Sequence, residues 1–246
     1  IEGVEQLQGT EHTVAPDRIE AATLMIAAAA TRGHVQLDNV EPSHMTAVIE
    51  KLREIGVSIA TNGESVEVSL PGELKPADCI ALPYPGIPTD VQAQLMALLA
   101  RADGISIVTD KVFPDRFLHA PELVRMGARI RREGASAIIG GVPALSGACV
   151  MASDLRASAA LVIAGLAADG PSVIRRIYHL DRGYDALECK LQSLGANIVR
   201  TRDEPANMPE GLAPTSVGTS TAPAFRHQIE RPKWLTGKTG QCAPRS

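Results

Sequence analysis

Three aspartates stand where a strand hands over to a helix: Asp17 after Pro16, Asp90 after Thr89 and Asp154 after Ser153. A carboxylate in that place can accept from the loose N–H groups of the first helical turn, where the positive end of the helix dipole also favours an anion. It can instead face a substrate as a general base. Asp17 reads as a cap. For Asp90 both readings stand, because Thr89 can cap in its place, and Pro85, Gly86 and Pro88 build a tight, exposed approach with no other evident purpose. Arginines gather at related positions. Asp115-Arg116 and Asp181-Arg182 occupy matching places between a second strand and a second helix, and Arg156 follows Asp154 by two. Local Asp–Arg pairing on a solvated surface is one account of them, and it contributes little. Convergence is the other: if equivalent loops of three repeats meet at one end, Arg116, Arg156 and Arg182 come close to Asp90. Three guanidiniums around one carboxylate describe a pocket for a ligand bearing phosphate or carboxylate, which arginine grips with a two-pronged donor fork. Helix N-termini add to the same field.

The elements that must position these groups recur three times. Gly3-Val4-Glu5-Gln6-Leu7-Gln8-Gly9, leading to Asp17, is echoed by Gly141-Val142-Pro143-Ala144-Leu145-Ser146-Gly147, leading to Asp154, and a middle copy reaches its acid at Asp90. An apolar helical run follows each acid and closes at Gly33, Gly104 or Gly170; a short strand comes next, then a second helix that stops at Gly56, Gly127 or Gly195. The period of about 70 residues exceeds that of solenoid units, so each copy is a βαβαβ layer. The copies are placed at about 1–72, 73–140 and 141–203. In the first, Asn62-Gly63 predicts a hairpin turn between Val57-Ser58-Ile59 and Val66-Glu67-Val68. The third has no return strand after Val199, so its edge is expected to be completed from elsewhere. The first helices of copies one and three, Ala21–Ala30 and Ala157–Leu166, are apolar on every side and rich in small residues, which places helices inside and sheets outside.

Composition narrows the function classes. With 246 residues and 45% hydrophobic content the chain can bury an ample core, while a net charge of −4 and only 3% aromatic residues argue against a nucleic-acid surface. No apolar run approaches the roughly 20 residues that span a bilayer, so a soluble, cytoplasmic protein is expected. The first residue is Ile1, and the repeat begins almost at once, as though an upstream part were missing. Cys79, Cys149, Cys189 and Cys242 form no CxxC pair and read as thiols; the six histidines have no ligand spacing, which disfavours a metal, and His119 and His179 read as structural. No dinucleotide fingerprint is present, so no cofactor is expected. From about Glu204 prolines punctuate Ser, Thr and Gly without periodicity; residues 204–246 read as a disordered tail, and Gly237-Lys238-Thr239 lacks the upstream glycine of a phosphate loop.

Five strings give the chain a family likeness. Pro88-Thr89-Asp90-Val91-Gln92-Ala93-Gln94, Phe113-Pro114-Asp115-Arg116-Phe117, Glu122-Leu123-Val124-Arg125-Met126-Gly127-Ala128, Ser153-Asp154-Leu155-Arg156-Ala157-Ser158 and Tyr178-His179-Leu180-Asp181-Arg182-Gly183-Tyr184 together resemble the UDP-N-acetylglucosamine 1-carboxyvinyltransferase family, over residues 1 to about 203. The resemblance is to the second of that family's two domains. It implies an α/β (α+β) fold, an inside-out barrel of three βαβαββ units with buried helices and outer sheets, and an enzyme of peptidoglycan synthesis serving cell-wall biogenesis, cell shape and cell division. The implied reaction moves the enolpyruvyl group of phosphoenolpyruvate to the 3-hydroxyl of UDP-N-acetylglucosamine and releases phosphate.

By the same resemblance Asp90 contacts that hydroxyl and acts as its base, and the main chain of Val112 touches the sugar nucleotide. Arg182 holds the phosphoenolpyruvate carboxylate, Arg116 and Arg156 add positive charge, and Asp154 orients the cluster. The expected partners are the two substrates and an N-terminal domain of the same enzyme, with no nucleic acid and no membrane. Without that domain the chain is expected to be inactive. The shikimate-pathway enolpyruvyl transferase, which shares fold and reaction type, and a non-catalytic remnant of the family are the alternatives.

Overall fold

The Ala-rich run after Asp17 forms α1 (Arg18–Ala30), started by the Asp17 carboxylate, which accepts from the N–H groups of Ile19 at 2.8 Å and Glu20 at 3.3 Å. The computed structural model describes residues 3, 5–202, 209 and 212, and the chain divides into two compact units, Ile1–Asp185 and Ala186–Ser246. In the first unit, β1 (His34–Asp38) follows α1, and a 3-10 turn at Pro42–Met45 leads into α2 (Thr46–Glu54). The chain then leaves α2 at Gly56, whose φ of +103° is costly for any side chain. β2 (Ser58–Asn62) and β3 (Ser65–Ser69) make the expected hairpin, and β1 joins the other edge of β3, all antiparallel. Asn62 pairs with Ser65, so the two turn residues are Gly63 and Glu64, one position later than an Asn-Gly turn.

The second copy is the most complete. β4 (Cys79–Ala81) runs parallel to β5 (Ile105–Asp110), with α3 (Thr89–Leu99) as the crossover helix. α4 (Ala120–Arg125) follows, then β6 (Arg129–Glu133) and β7 (Ser136–Gly140), giving a four-stranded sheet in the order β4-β5-β7-β6. Its hairpin closes over Gly134 with φ +58°, the value found at Gly63. The third copy opens with β8 (Leu145–Ser146) and β9 (Cys149–Met151), crosses through α5 (Leu155–Ala167), and returns as β10 (Ala168–Asp169) and β11 (Val173–Arg175), parallel to β8 and β9 respectively. A 3-10 segment at Ile177–Arg182 packs on α5. In the second unit, α6 (Leu187–Ser193) stops before Gly195 at φ +93°, as α4 does before Gly127 at +93°.

Helices α1, α3 and α5 pack on one another, and most of their residues are buried. Leu95, Met96, Leu98 and Leu161 are wholly enclosed there, each worth about 1.5–3 kcal/mol of transfer free energy. The helices-inside arrangement is therefore present. Closure is not: among the described residues the strands form four separate sheets and no continuous barrel.

The echo between residues 3–9 and 141–147 is likewise sequence without structure. At Gly141 a Cβ would lie 1.7 Å from the Ala102 carbonyl oxygen and at Gly147 2.2 Å from that of Pro171, because this segment runs hard against its neighbours; Gly3 and Gly9 meet nothing within 4 Å. Val142 and Leu145 are buried, whereas Leu7 is 89% exposed among polar neighbours, so residues 5–16 have no apolar anchor to pull them onto a sheet. Among the described residues no strand follows α6. No helix of the described residues is long and apolar enough to cross a membrane. Cys79 and Cys149 are free thiols, and burial pushes the Cys79 pKa up to about 12. Cys242, Gly237-Lys238-Thr239 and all of the proline-punctuated tail except Pro209 and Leu212 lie outside the described residues.

Candidate active site

Helix α3 begins differently from α1 and α5. Its N-cap position is Pro88, which offers no side-chain acceptor, and Thr89 does not cap either: its hydroxyl donates to Oδ2 of Asp110 at 2.5 Å. Asp90, the second helical residue, is thereby free of capping and turns to two cations. Arg116 Nη1 donates to Asp90 Oδ1 at 2.9 Å and Arg156 Nε donates to the same oxygen at 3.2 Å. Arg116 comes from the loop after β5 and Arg156 from the first turn of α5, so two repeats deliver cations to the acid of one.

The electrostatics follow from that geometry. Burial alone would raise the Asp90 pKa, but the Arg156 charge and the hydrogen bonds from Arg116 and Arg156 outweigh it and hold the carboxyl below its ordinary value. Burial likewise opposes the charge on Arg156; Tyr184 and Asp90 more than offset it, and the guanidinium pKa is raised. Arg156 lies over the Tyr184 ring at 5.5 Å, and Arg116 over Phe113 at 5.8 Å. The Nη1 of Arg156 is buried with no hydrogen-bond partner, an orphan donor beside the carboxylate. In front of the pair lies an open cleft of about 580 Å³ lined by Asp90, Phe113, Pro114, Asp115 and Arg116.

Local pairing does not account for Arg116, since its sequence neighbour Asp115 bonds Arg132 at 2.5 Å instead. Asp154 is a helix cap: its Oδ1 accepts from Arg156 N at 2.8 Å and Ala157 N at 2.9 Å, and so it fixes the backbone from which Arg156 springs. Val112 is half-buried and gives its N–H to Asp110 Oδ1 at 2.9 Å. Arg182 ends the 3-10 segment on α5; it is exposed and is not among the partners of Asp90. Its neighbour Gly183 lies against Leu155, whose methyls a Cβ there would meet at 2.8 Å.

Three residues behind the cluster had no separate signal in the sequence. Thr23 of α1 shares a hydrogen bond with the Tyr184 hydroxyl at 2.8 Å, and Gln94 of α3 donates to Thr23 at 3.1 Å and to the carbonyl of Asp90 at 2.9 Å. One residue from each repeat thus joins a buried polar knot under the Asp90–Arg156 pair. Thr23 interrupts the apolar stretch of α1, whereas Gln94 shares α3 with the equally buried Gln92 and is set apart only by its contacts. His119, 1% exposed, places Nε2 3.1 Å from the Met96 sulfur, and burial pulls its pKa down to about 4. It is a neutral core group.

The family model described as EPSP synthase (3-phosphoshikimate 1-carboxyvinyltransferase) matches residues 1–191. A UDP-N-acetylglucosamine 1-carboxyvinyltransferase of Koribacter versatilis is 54% identical over 200 residues, 81% of this chain and 46% of the relative. A UDP-N-acetylglucosamine 1-carboxyvinyltransferase 2 of Carboxydothermus hydrogenoformans is 55% identical over 205 residues, 82% of this chain and 49% of the relative. Among solved structures, the enolpyruvyl transferase NikO from Streptomyces tendae superposes with a TM-score of 0.69 at 29% identity, over 76% of this chain and 44% of that one. An EPSP synthase from Acinetobacter baumannii shares the fold at a TM-score of 0.59 and 22% identity, over 75% of this chain and 46% of that one. The chain spans about half the length of the curated relatives it matches.

Proposed function

This chain belongs to the EPSP synthase (3-phosphoshikimate 1-carboxyvinyltransferase) family, and from that premise we propose that it supplies one half of the active site of a UDP-N-acetylglucosamine 1-carboxyvinyltransferase. The observation that carries the reading is Asp90 held between Arg116 and Arg156 at the mouth of an open cleft. The domain is taken as residues 1–203, with its three repeats, and residues 204–246 as a tail outside the site. The substrates are UDP-N-acetylglucosamine and phosphoenolpyruvate, and the partner is the other domain of the same enzyme. Both substrates are cytoplasmic metabolites, so the protein works in the cytoplasm, in the making of cell-wall precursor.

The proposed reaction forms a bond between the sugar 3-oxygen and the enol carbon of phosphoenolpyruvate while the methylene carbon takes up a proton and the double bond opens, giving a tetrahedral intermediate. Loss of a proton from the resulting methyl group then restores the double bond as the bond from the enol carbon to the phosphate oxygen breaks and phosphate leaves. Asp90 takes the hydroxyl proton. Its two arginines keep it ionised at neutral pH, as a base must be, but while they hold it they also weaken it. An anionic substrate that draws the Arg156 guanidinium, beginning with its orphan Nη1, toward phosphate or carboxylate relieves Asp90 and couples substrate arrival to base strength. Arg182, exposed at the end of its 3-10 segment, is the arginine for the phosphoenolpyruvate carboxylate, and Arg116 contributes charge. Asp154 orients the cluster through the start of α5. Because the Val112 N–H is committed to Asp110, its main-chain contact with the sugar nucleotide runs through the carbonyl.

The test is a fusion of this chain to the N-terminal half of the Carboxydothermus relative. Phosphate release from phosphoenolpyruvate is expected with UDP-N-acetylglucosamine, none with shikimate 3-phosphate, and none from the unfused chain. Release with shikimate 3-phosphate alone would transfer the chain to the other acceptor, and inactivity of a folded fusion with either would make it a remnant.

A further inference from the structure

Behind the Asp90–Arg116 pair sits a second carboxylate that the proposed reaction does not use. Asp110 closes β5, is 0% exposed, and has both oxygens occupied: Thr89 donates its hydroxyl to Oδ2 at 2.5 Å, while the N–H groups of Val112 and Phe113 donate to Oδ1 at 2.9 and 2.8 Å. The strand end that carries it is itself fixed, since Asp110 N donates to the Ala135 carbonyl at 2.9 Å and Lys111 N to that of Ala81 at 3.1 Å. A buried carboxylate that accepts three donors is a rigid clamp, because each bond to an anion is short and strong and none can be exchanged for water.

The clamp joins the two chain segments that carry the reacting pair. Thr89 precedes Asp90, and Val112-Phe113 opens the loop that ends in Arg116. Phe113 in turn lies beneath the Arg116 guanidinium. We infer that Asp110 is the positioning residue that sets the meeting of Asp90 with Arg116, by tying the first turn of α3 to the loop after β5. It touches no reacting atom, and its relevance to turnover rests on reading Asp90 as the base.

The experiment follows the Asp90 carboxyl by ¹³C NMR pH titration in the 246-residue chain, with its signal assigned by its loss in Asp90→Asn. Two variants are compared, Asp110→Asn and Thr89→Val. If Asp110 positions the pair, both loosen Arg116 from Asp90, and the Asp90 proton affinity rises about threefold or more, toward that of an unpaired carboxyl. Charge alone works the other way: Asp110→Asn deletes a neighbouring anion, which by itself lowers the Asp90 proton affinity. A fall or no change in that variant therefore overturns the inference. Thr89→Val alters no charge and keeps the test decisive should Asp110→Asn fail to fold, and an unchanged titration there overturns the inference equally. The titration needs no substrate. If Asp90→Asn retains turnover in the fusion while both titrations shift upward, the base assignment falls and the positioning role of Asp110 stands.

Discussion

Asp17 and Asp154 occupy the same place in their repeats as Asp90 does in its own, yet two of the three are caps and one is the candidate base. Asp17 and Asp154 each stand outside their helix and spend one oxygen on two backbone N–H groups. Asp90 is the second residue inside its helix, and its Oδ1 takes guanidiniums from the loop after β5 and from the first turn of α5. The difference is local: a proline at the capping position and a threonine diverted to Asp110 leave the acid available. Repetition supplies the scaffold three times over, and a shift of two positions past the cap releases the acid from capping.

The contrast can be broken most directly in the fusion enzyme. Asp90→Asn is expected to cut phosphate release by about 10²–10⁴-fold, the usual contribution of a general base, while Asp17→Asn stays within a few-fold of the parent; similar losses for both would end the distinction. Next in size is the neutral core behind the site. The folded protein resists protonating His119 until pH falls to about 4, whereas the unfolded chain protonates it near 6.5, so the unfolded state binds the extra proton between those values. Stability is full above pH 6.5 and falls by about 1.4 kcal/mol per pH unit down toward 4. Urea denaturation across that range checks it, and His119→Gln should flatten the slope.

Arginine identity gives the third test. Arg156→Lys and Arg182→Lys should each raise the KM for phosphoenolpyruvate by about tenfold, since an ammonium cannot present a planar fork; unchanged kinetics in either variant removes that residue from the site. The smallest effects belong to the caps: Asp17→Ala and Asp154→Ala should each lower unfolding free energy by about 1 kcal/mol, read from denaturant midpoints.

Much of this was legible before any coordinates. The glycines that stop second helices, Gly56, Gly127 and Gly195, take the left-handed φ that their position in the repeat implied. The buried, Ala-rich helices declared themselves because no polar face was present to meet water. The meeting of Arg116 and Arg156 with Asp90 followed from equivalent loops sharing one end. What could not be read were features set by long-range pairing. An echo such as 3–9 against 141–147 says nothing about whether neighbours exist to press on it, and four short sheets do not announce whether they join. Asp110 was invisible for the same reason: an acid ending a β-strand that accepts from Val112 and Phe113 looks like a turn residue until the Thr89 hydroxyl, from a separate segment, is seen on its other oxygen.

The α3–α5 contact bears on how this protein can fail. Asp90 and Arg156 project from the opening turns of these two helices, and alanines such as Ala93, Ala97, Ala159 and Ala160 are enclosed along them. The gap between acid and cation is therefore gauged by methyl groups about one to two turns along each helix from the charged pair. Enlarging one of those alanines by a few carbons would prise the two opening turns apart without touching a polar atom, so loss-of-function substitutions should be found in the dry interior, at sites that no survey of the cleft would nominate.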